Sequence, residues 1–200
     1  MTPKSTGLTS KIIVLKDSIH PYNSLFEKLT YITRKSKATV HDENKQTAGG
    51  GTVDTLYASA TGGKSVSFPR VSPDGKYLVY TLSSYGNFSI WHKDADLYLL
   101  DLQTGESRPL SALNSDDVES YHSWSSNSRW MVFSSRRLDG LHTRPYLVHL
   151  DEQGRPSKPF LLPQARPDFY DDFRFSYNIP ELVNGQVELN RRQVVEASRD

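Results

Sequence analysis

The chain has 200 residues, a formal net charge of +1 and no cysteine. That length suffices for one good-sized domain with a core. The missing thiols exclude disulfides, thiolate zinc sites and a cysteine nucleophile, and the balanced charge lacks the clustered basic excess of a nucleic-acid binder. Eleven tyrosines and an aromatic share of 11% favour strands over helices.

In chain order, "MTPKSTGLTSKIIVLKD" offers only Ile12 to Leu15 as an apolar run. This is too short for a secretory signal, and nothing in the chain approaches the roughly 18 apolar residues of a membrane helix. The start is compatible with a cytosolic chain, a removed signal or a native start further upstream. "KIIVLKD" (11–17) reads as a strand. "NSLFEKLTYIT" (23–33) has Ser24 and Glu27 at capping-box spacing, with Leu25, Phe26, Leu29 and Ile32 on one helical face. "LTYIT" alone suits a strand, and the β reading is favoured. Residues 41–51 form a polar, Gly-rich loop. "ASATGGKS" (58–65) matches a permissive phosphate-loop pattern, with Ala58 in place of the first glycine. Such a loop must open a helix. Pro69 and Pro73 follow and forbid one, so a plain connection is expected.

"VSPDGKYLVYT" (71–81) falls on "WSSNSRWMVFS" (124–134) when shifted by 53 residues. Ser72/Ser125 and Val79/Val132 are identical; Asp74/Asn127, Lys76/Arg129, Tyr77/Trp130, Leu78/Met131, Tyr80/Phe133 and Thr81/Ser134 are conservative. "DLYLLDLQTGE" (96–106) pairs with "RPYLVHLDEQGR" (144–155), and "SRPLSAL" (107–113) with "SKPFLLP" (157–163). "TVDTLYAS" (52–59) precedes the first copy. "DDVESYHSW" (116–124) is echoed by "DDFRFSYNIP" (171–180). Each unit reads strand, turn, strand, loop, strand, Gly turn, strand. Four short antiparallel strands at a spacing near 50 residues predict β-propeller blades. Both strand faces are apolar, as expected where a blade packs between two neighbours. A generic antiparallel sandwich does not predict the same four-strand order in both units.

"SFPRVSPDGKYLVYT…DLYLLDLQTGE" resembles the PD40 (WD40-like) repeat of TolB-like β-propellers, and "SYHSWSSNSRWMVFSSRR" resembles a variant blade of such propellers. The resemblance covers residues 52–183. It implies an all-β partial propeller of four-stranded antiparallel blades, preceded by a poorly matched segment, 1–51, which could be a degenerate blade, and followed by a charged tail, 184–200. TolB-like rings have six blades, more than this chain can supply. Open blade faces should then favour self-association.

Candidate chemistry lies in the loops. Asp116, Asp117, Glu119, Tyr121, His122 and Trp124 precede or enter the innermost strand of the second unit, near the central channel of a propeller. Carboxylates, a histidine and aromatics there could bind a sugar or peptide; as repeated features they could equally cap turns and pack between blades. Trp91 and His92, with Asp94 and Asp96, sit between the second and third strands. Metal binding there is disfavoured against a solvated loop, since no helical zinc pair occurs. Arg136 and Arg137 could meet a carboxylate ligand, or form an inter-blade ion pair with the acidic loops, worth little if exposed.

No GxSxG elbow or nucleophile–base–acid order is recognisable, so no catalytic residue, metal or cofactor is assigned. The favoured function is a non-catalytic TolB-like scaffold that binds protein or peptide. Its expected place, by resemblance, is the periplasm or envelope of a Gram-negative bacterium. The alternatives are a carbohydrate-binding or polysaccharide-lyase-like propeller, with His92 and His122 facing one channel, and a truncated fragment of a longer propeller.

Overall fold

The computed structural model describes the backbone of residues 8–16, 29–35 and 52–58, and residues 62–85 and 88–185. Residues 23–28, where Ser24 and Glu27 stand at capping-box spacing, and the tail beyond 185 lie outside the described residues.

β1 (Leu8–Lys16), β2 (Leu29–Lys35) and β3 (Thr52–Ala58) form an antiparallel sheet in the order β2–β1–β3. "LTYIT" is therefore a strand, as favoured. This order differs from the sequential meander of the two sheets that follow. In the first of those, β4 (Ser65–Val71), β5 (Tyr77–Ser83), β6 (Asp96–Asp101) and β7 (Ser107–Pro109) pair in chain order. The second repeats the arrangement with β8 (Glu119–Trp124), β9 (Trp130–Ser135), β10 (Arg144–His149) and β11 (Phe160–Leu161). Both are four-stranded antiparallel blades, and the described residues form a partial β-propeller. Ser65 opens β4 rather than a helix, which removes the phosphate-loop pattern.

The repeated residues carry the same contacts in both blades. At the β4–β5 turn, Ser72 Oγ accepts from Tyr77 N at 3.0 Å and donates to Asp74 Oδ1 at 2.6 Å. At the β8–β9 turn, Ser125 Oγ accepts from Trp130 N at 2.9 Å and donates to Asn127 Oδ1 at 2.6 Å. Gly75 takes φ +72° there, and its counterpart Ser128 takes φ +60°. Ser128 bears that left-handed backbone without glycine's freedom. Its hydroxyl accepts from Asp74 N at 2.9 Å, which ties one blade's turn to the next.

Side-chain alternation sends each blade's apolar residues both ways. Val79, Leu97 and Leu99 face the second blade and pack with Trp124, Met131, Phe133, Tyr146, Val148 and Leu150. Leu78, Tyr80, Leu82 and Leu100 point oppositely and meet Val66 and the β3 residues Leu56 and Tyr57. Each such side chain contributes about 1.5–3 kcal/mol on full burial. On the far face of the second blade, Ser134 Oγ donates to Tyr177 O and Asn178 O. There the rings of Phe169, Phe173 and Tyr177 stack in sequence at 4.9 and 5.1 Å.

Two Gly turns separate backbone strain from blade packing. Gly105 and Gly154 have φ of +76° and +68°. A Cβ on Gly105 would meet nothing within 4 Å, whereas one on Gly154 would lie 3.0 Å from the Tyr77 ring and 3.2 Å from Leu99 across the interface. Gly105→Ala should cost about 1–2 kcal/mol in urea unfolding, from the left-handed backbone alone. Gly154→Ala should cost more, by roughly 1 kcal/mol or above, from overpacking. Equal losses would mean that the two blades do not meet there.

Candidate functional site

The residues singled out by sequence divide into two clusters, with His92, Asp94, Asp96 and Asp116 outside both. The first cluster is a buried charge network where the chain enters and leaves the first hairpin of the second blade. Glu119 is fully buried at the start of β8. Its carboxylate accepts from Ser115 N at 2.9 Å, Ser115 Oγ at 2.6 Å, Ser135 Oγ at 2.9 Å and Arg137 Nη2 at 2.8 Å. Burial pushes this carboxyl above the ordinary glutamate value, against the pull of the Ser115 donors, Arg137 and Ser135. Arg137 also donates to Leu113 O and lies over the Phe133 and Tyr146 rings. Beside it, Arg136 pairs with Asp117 at 3.5 Å, both nearly buried, and sits 5.5 Å below the Trp91 ring.

The ion pairs of both arginines lie within their own blade and the connection leading into it, not between blades as expected, and they are buried rather than exposed. Truncating one partner would leave an uncompensated buried charge, a loss of about 3–5 kcal/mol. With four donors already satisfying Glu119, its oxygens are committed to structure. Asp116 is exposed. His92 packs edge-on against Tyr85, ring centroids 4.4 Å apart. Asp94 accepts from Ser84 N at 2.7 Å and from its hydroxyl. Among the described residues, no three His, Asp or Glu side chains are grouped as a metal site would need.

The second cluster lies along the inner strands. β4 and β8 run beside each other, and each carries a bulge at the same place, between Ser67 and Arg70 and between Ser120 and Ser123. A bulge re-aims the side chain it carries. Phe68 and Tyr121 occupy the two bulges with φ of +51° and +49°, a costly backbone for aromatic residues. Their rings meet with centroids 4.5 Å apart. With Arg70, His122, Ile179, Pro180 and Glu181 they line a hollow of about 120 Å³. Arg70 and Glu181, both half exposed, face each other at 3.5 Å. Trp124 Nε1 donates to Arg70 O at 3.1 Å and holds this part of β4 in place.

His122 forms the floor of this hollow and is only 2% exposed. Its Nε2 lies 2.9 Å from Val79 O. A carbonyl only accepts, so Nε2 carries the proton. Nδ1 is then a lone-pair nitrogen, and it has no hydrogen-bond partner. Tyr121 and His122 were marked by sequence as candidates, while Phe68, Arg70, Ile179, Pro180 and Glu181 were not. The signal for Phe68 is its place in the repeat, 53 residues before Tyr121.

Burial, with a smaller push from the Arg70 charge, lowers the His122 pKa from 6.5 to about 4, although the Val79 carbonyl favours the charged ring. The unfolded chain binds a proton here between pH 6.5 and 4 and the folded chain does not. Stability from this group is therefore complete above pH 6.5 and falls as pH drops through that window, by on the order of 3 kcal/mol. Urea unfolding of the wild type at pH 7 and pH 4.5 should show this loss, and His122→Gln should flatten it. Parallel slopes in the two proteins would contradict a buried neutral ring.

No protein-family model matches the chain, and no curated protein sequence is similar to it. Among solved structures, it is similar to the β-propeller domain of the trilobed protease from Pyrococcus furiosus, at 17% identity and a TM-score of 0.37, over 80% of this chain and 41% of that one. It is also similar to a structure from work on two prolyl endopeptidases, at 12% identity and a TM-score of 0.29, over 78% of this chain and 29% of that one. The chain thus spans less than half the length of either. The blades are identified by the strand order, registers and repeated turns of the chain itself.

Proposed function

We propose that this chain is a non-catalytic, TolB-like propeller segment that binds protein or peptide in the bacterial envelope. The observation that carries the binding reading is the axial hollow. At about 120 Å³ it is far below the roughly 300–1,000 Å³ of small-molecule pockets. It suits one apolar side chain presented by a larger partner. Phe68, Tyr121, Ile179 and Pro180 give that side chain an aromatic and apolar wall. Arg70 can donate to a backbone carbonyl or carboxylate, and Glu181 can accept from a backbone N–H. Asp94, Asp117, Glu119, Arg136 and Arg137 are held by internal partners, which argues for binding over catalysis. The envelope setting and the TolB-like assignment draw support from the "SFPRVSPDGKYLVYT" repeat alone.

Carbohydrate binding is favoured by a different observation. Trp91 is 71% exposed, with Arg136 beneath its ring, and Tyr85 and Phe88 beside it in sequence are each 69% exposed. Exposed rings of this kind can stack on sugar faces. A glycan array positive for the wild type and negative for Trp91→Ala would favour this second reading.

The peptide reading is tested by panning a phage-displayed heptapeptide library on the full chain. Binders with an apolar anchor should be enriched. Phe68→Ala and Arg70→Ala should each weaken the best binder by about tenfold, the loss of one packed ring or one charge-assisted hydrogen bond. No enrichment, or binders indifferent to both changes, would defeat the proposal.

A further inference from the structure

The segment after the second blade repeats the step between the two blades. Where the first blade hands over to the second, Glu119 N donates to Ala95 O, just before β6, at 2.8 Å. Where the second blade ends, Tyr177 N donates to Thr143 O, just before β10, at 3.0 Å. Tyr177 thus stands where Glu119 stands, at the entry to an inner strand. Counting on by two residues reaches Tyr121 in β8 and Ile179 in the last segment. The axial hollow supports this register independently. It is lined by Phe68 and Arg70 of β4, by Tyr121 and His122 of β8, and by Ile179, Pro180 and Glu181. These are equivalent positions on three successive inner segments. Phe68-Pro69-Arg70 and Ile179-Pro180-Glu181 even share the proline that a bulge tolerates.

In the first two blades the next strand pairs along the inner one. β5 pairs with β4 and β9 with β8, on both sides of the bulge. Among the described residues no strand pairs with 177–183. Along it, Ile179 is 65% exposed, Leu182 37% and Val183 59%. A segment standing in the place of an inner strand, with exposed apolar side chains, offers its backbone for strand addition.

We propose that residues 177–183 form the inner edge of a third blade and bind, as an added antiparallel strand, an extended peptide with the chemistry of β5 and β9. The repeat defines that chemistry. Both strands begin with an aromatic residue behind a cation, continue through aliphatic residues and an aromatic, and end in hydroxyl side chains: Lys76-Tyr77-Leu78-Val79-Tyr80-Thr81 and Arg129-Trp130-Met131-Val132-Phe133-Ser134. In the β8–β9 register Trp124 faces Met131 and Ser123 faces Val132. The equivalent partners in residues 177–183 are Leu182 and Glu181. This goes beyond the axial reading, because the strand takes the backbone edge whatever the hollow binds.

The test uses a fluorescent peptide of sequence RWMVFSS, residues 129–135, titrated against the full chain by anisotropy. Saturable binding is expected. A peptide with prolines at the Met131 and Val132 positions should bind about tenfold or more weakly, because it lacks the pairing N–H groups. Leu182→Pro in the full chain should weaken RWMVFSS comparably while its thermal midpoint shows the two blades still folded. No binding of RWMVFSS, or equal binding of the proline peptide, overturns the proposal. Failure of library panning on the hollow leaves this test standing, since the probe is taken from the chain's own strands.

Discussion

Leu78 and Val79 are adjacent in β5, both fully buried, and they point to opposite faces of one sheet. A strand with two apolar faces cannot rest against water on either side. The first blade therefore needs a cover on each face, and it has them: Leu56 and Tyr57 of β3 on one, the Met131–Phe133 side of the second blade on the other. The second blade inherits the same demand. Val132 and Ser134 point away from the first blade, and the segment through Phe173, Tyr177 and Asn178 lies over that face. Arg144 anchors this cover. It donates to the Phe173 and Phe175 carbonyls and stacks beneath the Tyr170 and Phe173 rings.

The same stacking decides where chemistry can occur. Charged residues at the blade entry are drawn inward, so Glu119 and Arg137 close a network that fixes the second blade's first hairpin. The inner strands do the reverse. Their bulges place Phe68 and Tyr121 in an unfavourable backbone and bring the two rings together beside a half-exposed Arg70–Glu181 pair. Strain kept at equivalent points of two blades fits a role in building the wall of the hollow. The charge network and the hollow are thus separated along the same strand, Glu119 at its start and Tyr121 two residues on.

The blades were legible because the turns repeat their contacts. Ser72 and Ser125 cap the same amide, Asp74 and Asn127 accept from the same hydroxyl, and these are side chains that a comparison by shift preserves. The bulges were not legible, since nothing in "SFPR" or "SYHS" announces a left-handed aromatic. The partners of Arg136 and Arg137 depend on how the connection 110–118 folds back, which local pattern does not record. The last segment was misregistered for a simpler reason. Phe68 and Tyr121 are 53 residues apart, but Tyr121 and Ile179 are 58 apart. The longer link contains the helical turn Phe169–Asp172. That turn takes up Asp171 and Asp172, which sequence had aligned with Asp116 and Asp117, and pushes the true equivalent of Glu119 on to Tyr177. No residue identity survives at that position to show it; a backbone hydrogen bond does.

The central claim is that the blade-to-blade step is made twice, at Glu119 and at Tyr177. Amide hydrogen exchange followed residue by residue tests it most directly, because the two N–H groups donate to equivalent carbonyls, Ala95 O and Thr143 O. The account predicts protection at both amides, with Tyr177 slowed well beyond the exposed Phe175 and Ile179 on either side. Exchange of Tyr177 at the rate of an unstructured amide, with Glu119 protected, would contradict it.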